Sequence, residues 1–559
     1  MAIQERIGVV APANPVARIT RRDRGSARDP LATSLRRGHG DRTLTLIAVA
    51  SGLTIVALDS TIVAVAGPAL SRHVGASPSG LEWVTNAYLL ALAAGVFAGG
   101  TLGDRLGRRR VFLLASAGFA LASVGCGLSD SLGALVAFRA VQGLCGAVLL
   151  AQALAIARAT VPPERQAAVL GAWTTTATVV LASGPVIGGL LVAHLGWRSL
   201  FFVSLPLAAI ALLLGGWAIR EAPDEHEEQM LDAPGIGLLT LAMFTLGWGL
   251  TIGERHGWDR SHTVAFLLTA LLLLGVFAGR EAREERYLRS HIPVGLLRSR
   301  GLWAGVATIV AIFAALFAVL FYVTLYLERA QGYSALQAGV RILVLSGAVA
   351  FSSIVSWAAL SKVRPQVLVL SGAVLLAGGL LGLSGLNLQS SYGAVWPFLV
   401  LVGLGTGPAQ VGAAHAMVHG VQGEQAGIPG RVHLAAGVVG ALVGLSVLGS
   451  VITTRVSSVL PAKLIAAGVP RQLADHLAVT AHSVAQGVVP VPRGLTASAA
   501  HAVTTGSLVA FASGLDTALM VAAAVVLIAG LGAVLLLRAT GHGHAAGWSL
   551  VRPSQRARG

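Results

Sequence analysis

Residues 99–110 read GGTLGDRLGRRR, where a glycine-rich apolar run ends in four arginines within six residues. An apolar run that begins at Trp83 leads into this stretch, and another apolar run follows it from Val111. Arginines between two apolar runs are typical of a short cytoplasmic turn between membrane helices, because Lys and Arg are retained on that side. The stretch therefore predicts two membrane helices joined by a basic turn.

The composition extends this pattern to the whole chain. Of its 559 residues, 55% are hydrophobic and only 11% are charged, whereas a soluble domain has roughly twice that charged fraction. Period-two alternation is missing, so helices rather than a barrel are expected to cross the membrane. About fourteen apolar runs have the required length of about 20 residues. They lie near residues 43–68, 83–103, 111–128, 132–158, 167–195, 199–219, 232–252, 262–280, 303–328, 335–360, 366–386, 393–418, 427–454 and 507–538.

The net charge of +16 does not indicate a nucleic-acid partner. The arginines are grouped beside the apolar runs, within residues 18–42, 105–110, 280–300 and 552–558. An even number of helices puts all four groups on one side, which the positive-inside rule assigns to the cytoplasm. We therefore expect a multi-pass protein of the plasma membrane with both termini in the cytoplasm. The basic tail is expected to be a solvated segment that helps orient the first helix, and contact with anionic membrane lipid is the alternative.

The spacing of the runs predicts an organisation of six, two and six helices. In transporters built from two six-helix bundles, the substrate site lies between the bundles near the membrane midplane. The predicted segments are a disordered basic cytoplasmic tail at 1–42, an N-terminal six-helix bundle at 43–220, an inserted helix pair with charged cytoplasmic linkers at 221–301, a C-terminal six-helix bundle at 302–538 that includes an extracellular loop at 455–505, and a cytoplasmic tail at 539–559.

The opening stretch also carries an ordered motif. It fits G-x-L-x-D-R-x-G-R-[RK], and it resembles the loop signature of the major facilitator superfamily. An arginine cluster that only sets topology would not need this order of residues. The resemblance implies an all-α fold and a loop that locks the two bundles together on the cytoplasmic side. The residues that match the motif are Gly100, Asp104, Arg105, Gly107 and Arg108.

Three further segments resemble the fourteen-helix drug:proton antiporters of that superfamily. They are LDSTIVAVAGPAL (58–70), LVAFRAVQGLCGAVLL (135–150) and TVVLASGPVIGGLL (178–191). The last contains a proline among glycines, which frees a backbone carbonyl and bends the helix, so it predicts a hinge. Ala64 and Ser204 replace asparagines expected in the family, and Gly67 replaces a leucine. The hinge residues are Gly184, Pro185, Gly188 and Gly189.

Asp59 lies in the middle of the first apolar run, and Arg139 lies in the fourth. A charge inside a membrane costs several kcal/mol unless it is paired, hydrated or neutralised. Counting about 1.5 Å per helical residue places the two side chains at similar depth, about 14 Å and 10 Å from the same face. We expect them to pair, with Asp59 as the proton-coupling carboxylate. A permanent ion pair that only holds the bundle together is the alternative.

Other polar residues in the apolar runs are candidates for a substrate cavity. Hydrogen bonds between helices explain any one of them equally well. These candidates are Glu82, Gln142, Thr175, Gln410 and Arg431, with Thr174, Thr176 and His433 beside them. The two cysteines, Cys126 and Cys145, have no metal-ligand neighbours, so no metal site is expected.

Together these patterns predict a secondary active transporter rather than an enzyme. The resemblance implies proton-driven export of small lipophilic or cationic drugs by a monomer that needs no cofactor beyond the proton gradient. No G-x-x-x-x-G-K-[ST] motif for ATP is present. The alternatives are a dedicated exporter or importer of one metabolite, antibiotic or lipid. A membrane enzyme or a receptor is least favoured, because catalytic side chains are not clustered and the polar segments are short.

Overall fold

The protein is an array of long helices. Its structure, a computed structural model, describes residues 30–63, 70, 73–74, 78–162, 166–220, 233–284, 299–360, 362–418, 428–492 and 494–538. No strand occurs in these ranges, and fourteen of their helices are long and apolar enough to cross a membrane. We number these helices α1 Pro30–Ile62, α2 Pro78–Leu106, α3 Arg108–Leu128, α4 Leu132–Ala159, α5 Gln166–Leu195, α6 Ser199–Ala218, α7 Ala233–His256, α8 Ser261–Glu284, α9 Arg300–Arg329, α10 Ala335–Ala359, α11 Pro365–Ser384, α12 Tyr392–Val418, α13 Ile428–Ala466 and α14 Ala497–Arg538.

Local signals in the sequence explain several helix ends. Ser131 caps α4 by accepting a hydrogen bond from the backbone N–H of Ala134 at 3.3 Å. Ser334 and Gln337 form a reciprocal capping box at the start of α10. Between α2 and α3 the chain turns at Gly107, whose φ of 89° lies in the left-handed region that favours glycine. The motif glycine at this position is therefore required by the turn.

The first six helices pack mainly with one another, and so do the last six. The two groups meet where α5 packs against α10 and where α2 packs against α13. Small residues allow the close approach at both places. A Cβ on Gly339 of α10 would come within 2.6 Å of the Val186 Cα on α5. The central cavity described below lies between the two groups.

The inserted pair α7 and α8 packs on the outside of this junction. α7 contacts both α2 and α13. The rings of Trp83 on α2 and Trp248 on α7 are 5.0 Å apart between centroids. Just after α7, the Trp258 Nε1 donates a 2.6 Å hydrogen bond to the Ser450 Oγ on α13. The inserted pair therefore touches a helix of each group.

The last two helices are longer than their apolar runs predict. α13 continues to Ala466 and α14 begins at Ala497, so much of the predicted loop 455–505 is helical. Apolar side chains such as Leu460 and Val503 remain buried along these extensions, which explains why the helices continue. Two short helices, Arg471–Leu477 and Ala481–Ala485, pack over the extended ends. At the other terminus α1 begins at Pro30, inside the segment predicted to be a disordered tail.

Candidate functional site

A fully buried ion pair joins α1 to α4. Asp59 and Arg139 are 3% and 0% exposed, and the Arg139 Nη1 donates a hydrogen bond to the Asp59 Oδ2. The Arg139 Nε donates to the Val84 carbonyl at 2.9 Å. Gln142 donates from its Nε2 to the Asp59 Oδ1 at 3.2 Å, while its Oε1 accepts from the Arg139 Nη1 at 2.8 Å. Both carboxylate oxygens are thus engaged, as a buried charge requires.

The hydrogen bonds continue beyond this pair to α3 and α6. The Gln142 Nε2 also donates to the Ser123 Oγ at 2.8 Å, and that oxygen accepts from the Ser204 Oγ at 2.9 Å. The side chain of Gln142 is fully buried in this network. Gln142, predicted to line the substrate cavity, instead lies inside the first group of helices, where it is a hydrogen-bond partner of the ion pair.

Tyr88 on α2 links the ion pair to α1 a second time. The Arg139 guanidinium carbon lies 4.2 Å from the centroid of the Tyr88 ring, a cation–π contact. The Tyr88 hydroxyl donates to the Val56 carbonyl at 3.1 Å and lies 3.5 Å from the Ser60 Oγ. Val56 and Ser60 both line the central cavity. A movement of Arg139 would therefore reach the cavity wall through one intervening side chain.

Thr61 ties α1 to α5 beside Pro185, in the segment that the sequence predicts as a hinge. Pro185 has no N–H and leaves the carbonyl four residues earlier, that of Leu181, without its helical partner. The Thr61 Oγ1 donates to this carbonyl at 2.8 Å. A Cβ on Gly184 would come within 2.0 Å of that hydroxyl oxygen, so glycine is needed there. Gly188 and Gly189 follow as buried residues of the same helix.

A cavity of about 80 Å³ lies between the two groups of helices. Its wall is almost entirely apolar. α1, α2, α4 and α5 line one side, and α9, α12 and α13 line the other. The lining residues are Leu53, Val56, Ala57, Ser60, Leu89, Leu92, Leu150, Trp173, Ala177, Leu181, Phe313, Phe317, Gln410, His433, Leu434, Gly437, Val438 and Ala441.

Three buried side chains in this wall have one polar atom each without a hydrogen-bond partner among the described residues: the Trp173 Nε1, the Gln410 Nε2 and the His433 Nδ1. The Gln410 Oε1 accepts a 3.2 Å hydrogen bond from Thr178 across the two groups, but its Nε2 has no hydrogen-bond partner among the described residues. The same holds for the Nδ1 of His433. Gln410 and His433 are 1% and 4% exposed. Buried polar groups without partners are uncommon in folded proteins and call for an explanation.

The other cavity candidates lie elsewhere. Thr175 is not among the lining residues, and the side chains of Glu82 and Thr174 lie outside the described residues. Thr176 is exposed. The aromatic lining residues Trp173, Phe313 and Phe317 escaped the sequence analysis, because an aromatic residue in an apolar helix gives no local sign of facing a cavity.

The motif at the end of α2 makes a contact between the two groups. The Asp104 Oδ1 accepts from Arg108 at 3.1 Å, and the Asp104 Oδ2 lies 3.7 Å from the Arg431 Nη1 on α13. A Cβ on Gly100 would come within 2.5 Å of the Arg431 Cδ, so Gly100 makes room for this side chain. Arg105 is exposed. Arg431, which the sequence analysis places in the cavity, therefore lies instead against the loop motif.

Comparison with known proteins agrees with this architecture. The sequence profile of the Major Facilitator Superfamily matches residues 49–449. The chain belongs to the Major Facilitator Superfamily. It is therefore a multi-pass membrane transporter of small molecules and not an enzyme.

Relatives of the chain are named for resistance, export or transport. The chain is 38% identical over 487 residues to the tetracenomycin C resistance and export protein of Streptomyces glaucescens, covering 87% of this chain and 90% of that protein. It is 32% identical to the multidrug resistance protein Stp of Mycobacterium tuberculosis, covering 75% and 77% of the two chains. A probable actinorhodin transporter of Streptomyces coelicolor is 30% identical over 402 residues, 70% of this chain and 69% of that protein.

Solved structures of the superfamily share the fold. A bacterial homolog of the human lysosomal transporter Spinster, in an inward-facing and unoccupied conformation, superposes with a TM-score of 0.54 at 16% identity, covering 89% of this chain and 97% of that one. The human organic anion transporter MFSD10 gives a TM-score of 0.54 at 15% identity and covers 88% and 99%.

We predict that Thr61→Val lowers the stability of the protein, because the Leu181 carbonyl loses the hydrogen bond from Thr61. The buried Leu181 carbonyl would lose its donor, at a cost of about 1–3 kcal/mol in the free energy of unfolding. The measurement is thermal unfolding of the purified protein. Thr406→Val is the control, because that buried hydroxyl bonds only to Val402 of its own helix.

A double-mutant cycle tests the cause of this loss. In a Pro185→Ala background, residue 185 regains an N–H that can bond the Leu181 carbonyl, so Thr61→Val should then cost much less. An equal cost of Thr61→Val in both backgrounds would contradict the role of Thr61 at the proline.

We also predict that Asp104→Asn opens the cavity more often. The Asp104 and Arg431 side chains are 45% and 26% exposed, and ion pairs at such sites contribute about 0.2–1 kcal/mol. The opening equilibrium should therefore shift roughly two- to fivefold. The measurement is the rate at which a water-soluble maleimide labels Val438→Cys in the cavity wall, with Cys126 and Cys145 changed to alanine.

The control for this experiment is Asp130→Asn. Asp130 pairs with Arg198 at 2.7 Å within the first group of helices, so its loss should leave the labelling rate unchanged. Equal rates in the two variants would contradict a locking role for Asp104.

Proposed function

We propose that the protein exports small lipophilic molecules across the bacterial plasma membrane in exchange for protons, by alternating access to the central cavity. The observation that carries this proposal is the buried pair of Asp59 and Arg139, which lies one residue from the cavity wall at Ser60. A carboxylate with no exposure to lipid or bulk water is costly to keep inside a membrane protein, which makes it a candidate for function.

The relatives support the direction of transport. Their names describe resistance to, or export of, tetracenomycin C and several drugs, and the actinorhodin relative is named a probable transporter. Relatives that cover most of the chain make outward transport of an antibiotic-like molecule the favoured function. The arginine-rich turn at Asp104 then faces the cytoplasm, in line with the positive-inside rule.

Proton coupling would begin at Asp59. A proton on this carboxylate removes its charge and weakens the bond from Arg139, so the guanidinium needs another arrangement. The guanidinium lies over the ring of Tyr88, whose hydroxyl bonds to Val56 in the cavity wall. Protonation of Asp59 thus changes the cavity wall that contacts the substrate. Exchange of a proton for a substrate requires that the substrate contacts differ between the two protonation states.

Thr61 provides the connection to the opposite group of helices. It holds the carbonyl freed by Pro185 on α5, and the next turn of α5 packs against Gly339 of α10. A shift of α1 near Asp59 would therefore change the contact between α5 and α10. At the other end of the cavity, the ion pair of Asp104 with Arg431 would have to break before the cytoplasmic side opens.

A transporter of one particular metabolite is the second candidate. The cavity wall offers few polar groups, namely the side chains of Gln410, His433 and Ser60 and the indole N–H of Trp173. A wall with so few polar groups favours a restricted set of ligands, since each ligand must satisfy the same atoms. A transporter of one metabolite would have the same fold, cavity and coupling pair as the first candidate, and it would differ only in the breadth of its substrate range. A cofactor-free monomer remains part of the proposal.

The experiment compares proton-driven export in three proteins at matched amounts. Asp59→Asn leaves Arg139 buried without its partner, which typically costs about 3–5 kcal/mol, so less folded protein is expected. Asp59→Asn combined with Arg139→Gln removes both charges and should restore the folded amount. Asp130→Asn is the control, since it removes a carboxylate of the same group of helices outside the coupling network.

Transport of a fluorescent lipophilic compound is followed in inverted vesicles with an imposed proton gradient. The double variant should lose accumulation against a concentration gradient and keep downhill flux, whereas the control should accumulate as wild type does. Full proton-driven accumulation by the double variant would show that the pair is only structural.

A further inference from the structure

We propose that the cavity selects uncharged, polycyclic aromatic molecules that carry ring carbonyl groups, and that Gln410 and His433 are the residues that recognise those groups. This inference rests on the proposed export function, because it names the class of molecule that the same cavity carries.

The described cavity wall has no charged side chain that could pair with a charged ligand. None of the described residues in its wall is Asp, Glu, Lys or Arg. Asp59 is close in sequence, but its two oxygens already accept from Arg139 and Gln142, and it is not a lining residue. Moving a charge into an apolar site without a partner is expensive. The wall therefore favours molecules without net charge.

Three unpartnered atoms in the wall define what such a molecule must carry. The Trp173 Nε1, an indole N–H, is a donor and needs an acceptor. The Gln410 Nε2 is an amide donor and needs an acceptor. The His433 Nδ1 is a donor in one tautomer of the neutral ring and an acceptor in the other. A ring carbonyl satisfies Gln410, and a second carbonyl or a hydroxyl satisfies His433. A ligand with these groups would remove the cost of two buried polar atoms without partners.

The aromatic lining residues favour a flat ligand. Trp173 comes from α5, while Phe313 and Phe317 come from α9 one turn apart. Aromatic side chains contact planar rings in stacked or edge-to-face arrangements that add about 0.5–1.5 kcal/mol to the burial of area. Rings from both groups of helices can therefore contact the two faces of a planar molecule.

The cavity must widen before such a molecule enters. Its volume of about 80 Å³ is far below the roughly 300–1,000 Å³ of sites for drug-sized ligands. Gln410 on α12 and His433 on α13 belong to the same group of helices, so they keep their spacing when the groups separate. The bond from Thr178 on α5 to Gln410 joins the two groups and would break in that movement.

The test uses three ligands with the same tricyclic frame. Anthraquinone carries two ring carbonyls, anthracene carries no polar group, and N-methylacridinium carries a fixed charge. Binding of radiolabelled anthraquinone to purified wild-type protein is measured by scintillation proximity, and the other two compounds are used as competitors. We expect N-methylacridinium to displace anthraquinone poorly.

Variants of the two residues test the recognition itself. Gln410→Leu and His433→Leu should each weaken anthraquinone binding about tenfold, the loss expected for one hydrogen bond. The affinity for anthracene, measured by competition, should stay at its wild-type value. His433→Gln keeps a donor and should retain most of the affinity. Thr406→Val, one turn before Gln410 on the same helix and outside the cavity wall, is the matched control and should bind as wild type.

The inference fails if both leucine variants, shown to be folded by thermal unfolding, bind anthraquinone as wild type does. It also fails if N-methylacridinium binds more tightly than anthraquinone. Transport of the same compounds in inverted vesicles separates this inference from the proposed function. Proton-driven export of N-methylacridinium, with no export of anthraquinone, would overturn the proposed substrate class but not the export function. Dependence of anthraquinone binding on Gln410 and His433 without any export would overturn the export function and leave the inference standing.

Discussion

The pairing of Asp59 with Arg139 inside the first group of helices is the constraint on which the rest of the site depends. Two buried charges are best tolerated when they pair with each other and take part in further hydrogen bonds. Gln142, Ser123 and Ser204 extend those bonds to α3 and α6. Four helices are therefore held in one arrangement by polar contacts, in an environment where apolar surface gives helices little reason to associate.

The residues that follow Asp59 carry this arrangement to the neighbouring helices. Ser60 faces the cavity beside Tyr88, and Thr61 holds the carbonyl that Pro185 leaves free. Three consecutive residues of α1 thus reach the charge pair, the cavity wall and the hinge. This local order gives a physical route by which protonation, substrate contact and the packing of α5 on α10 can influence one another.

The sequence analysis and the structure agree best where burial of charge or backbone geometry allows few alternatives. The depths of Asp59 and Arg139 predicted their pairing, and a proline between glycines predicted a freed carbonyl. The assignments of Gln142 and Arg431 differ from the structure for a common reason. A polar residue in an apolar run must find a partner, but the run does not reveal whether that partner is a ligand, a neighbouring helix or the loop motif.

The sequence by itself determined the membrane-spanning helical fold, the family and the identity of the charged pair, because apolar length, glycine and proline positions and buried charge follow from local chemistry. Only the tertiary structure decided which polar atoms of the cavity wall remain without partners among the described residues, namely one each of Trp173, Gln410 and His433. It also decided that Trp173, Phe313 and Phe317 share one cavity. Such facts depend on the rotation of each helix about its axis, and that rotation is set by packing against helices that are distant in the chain.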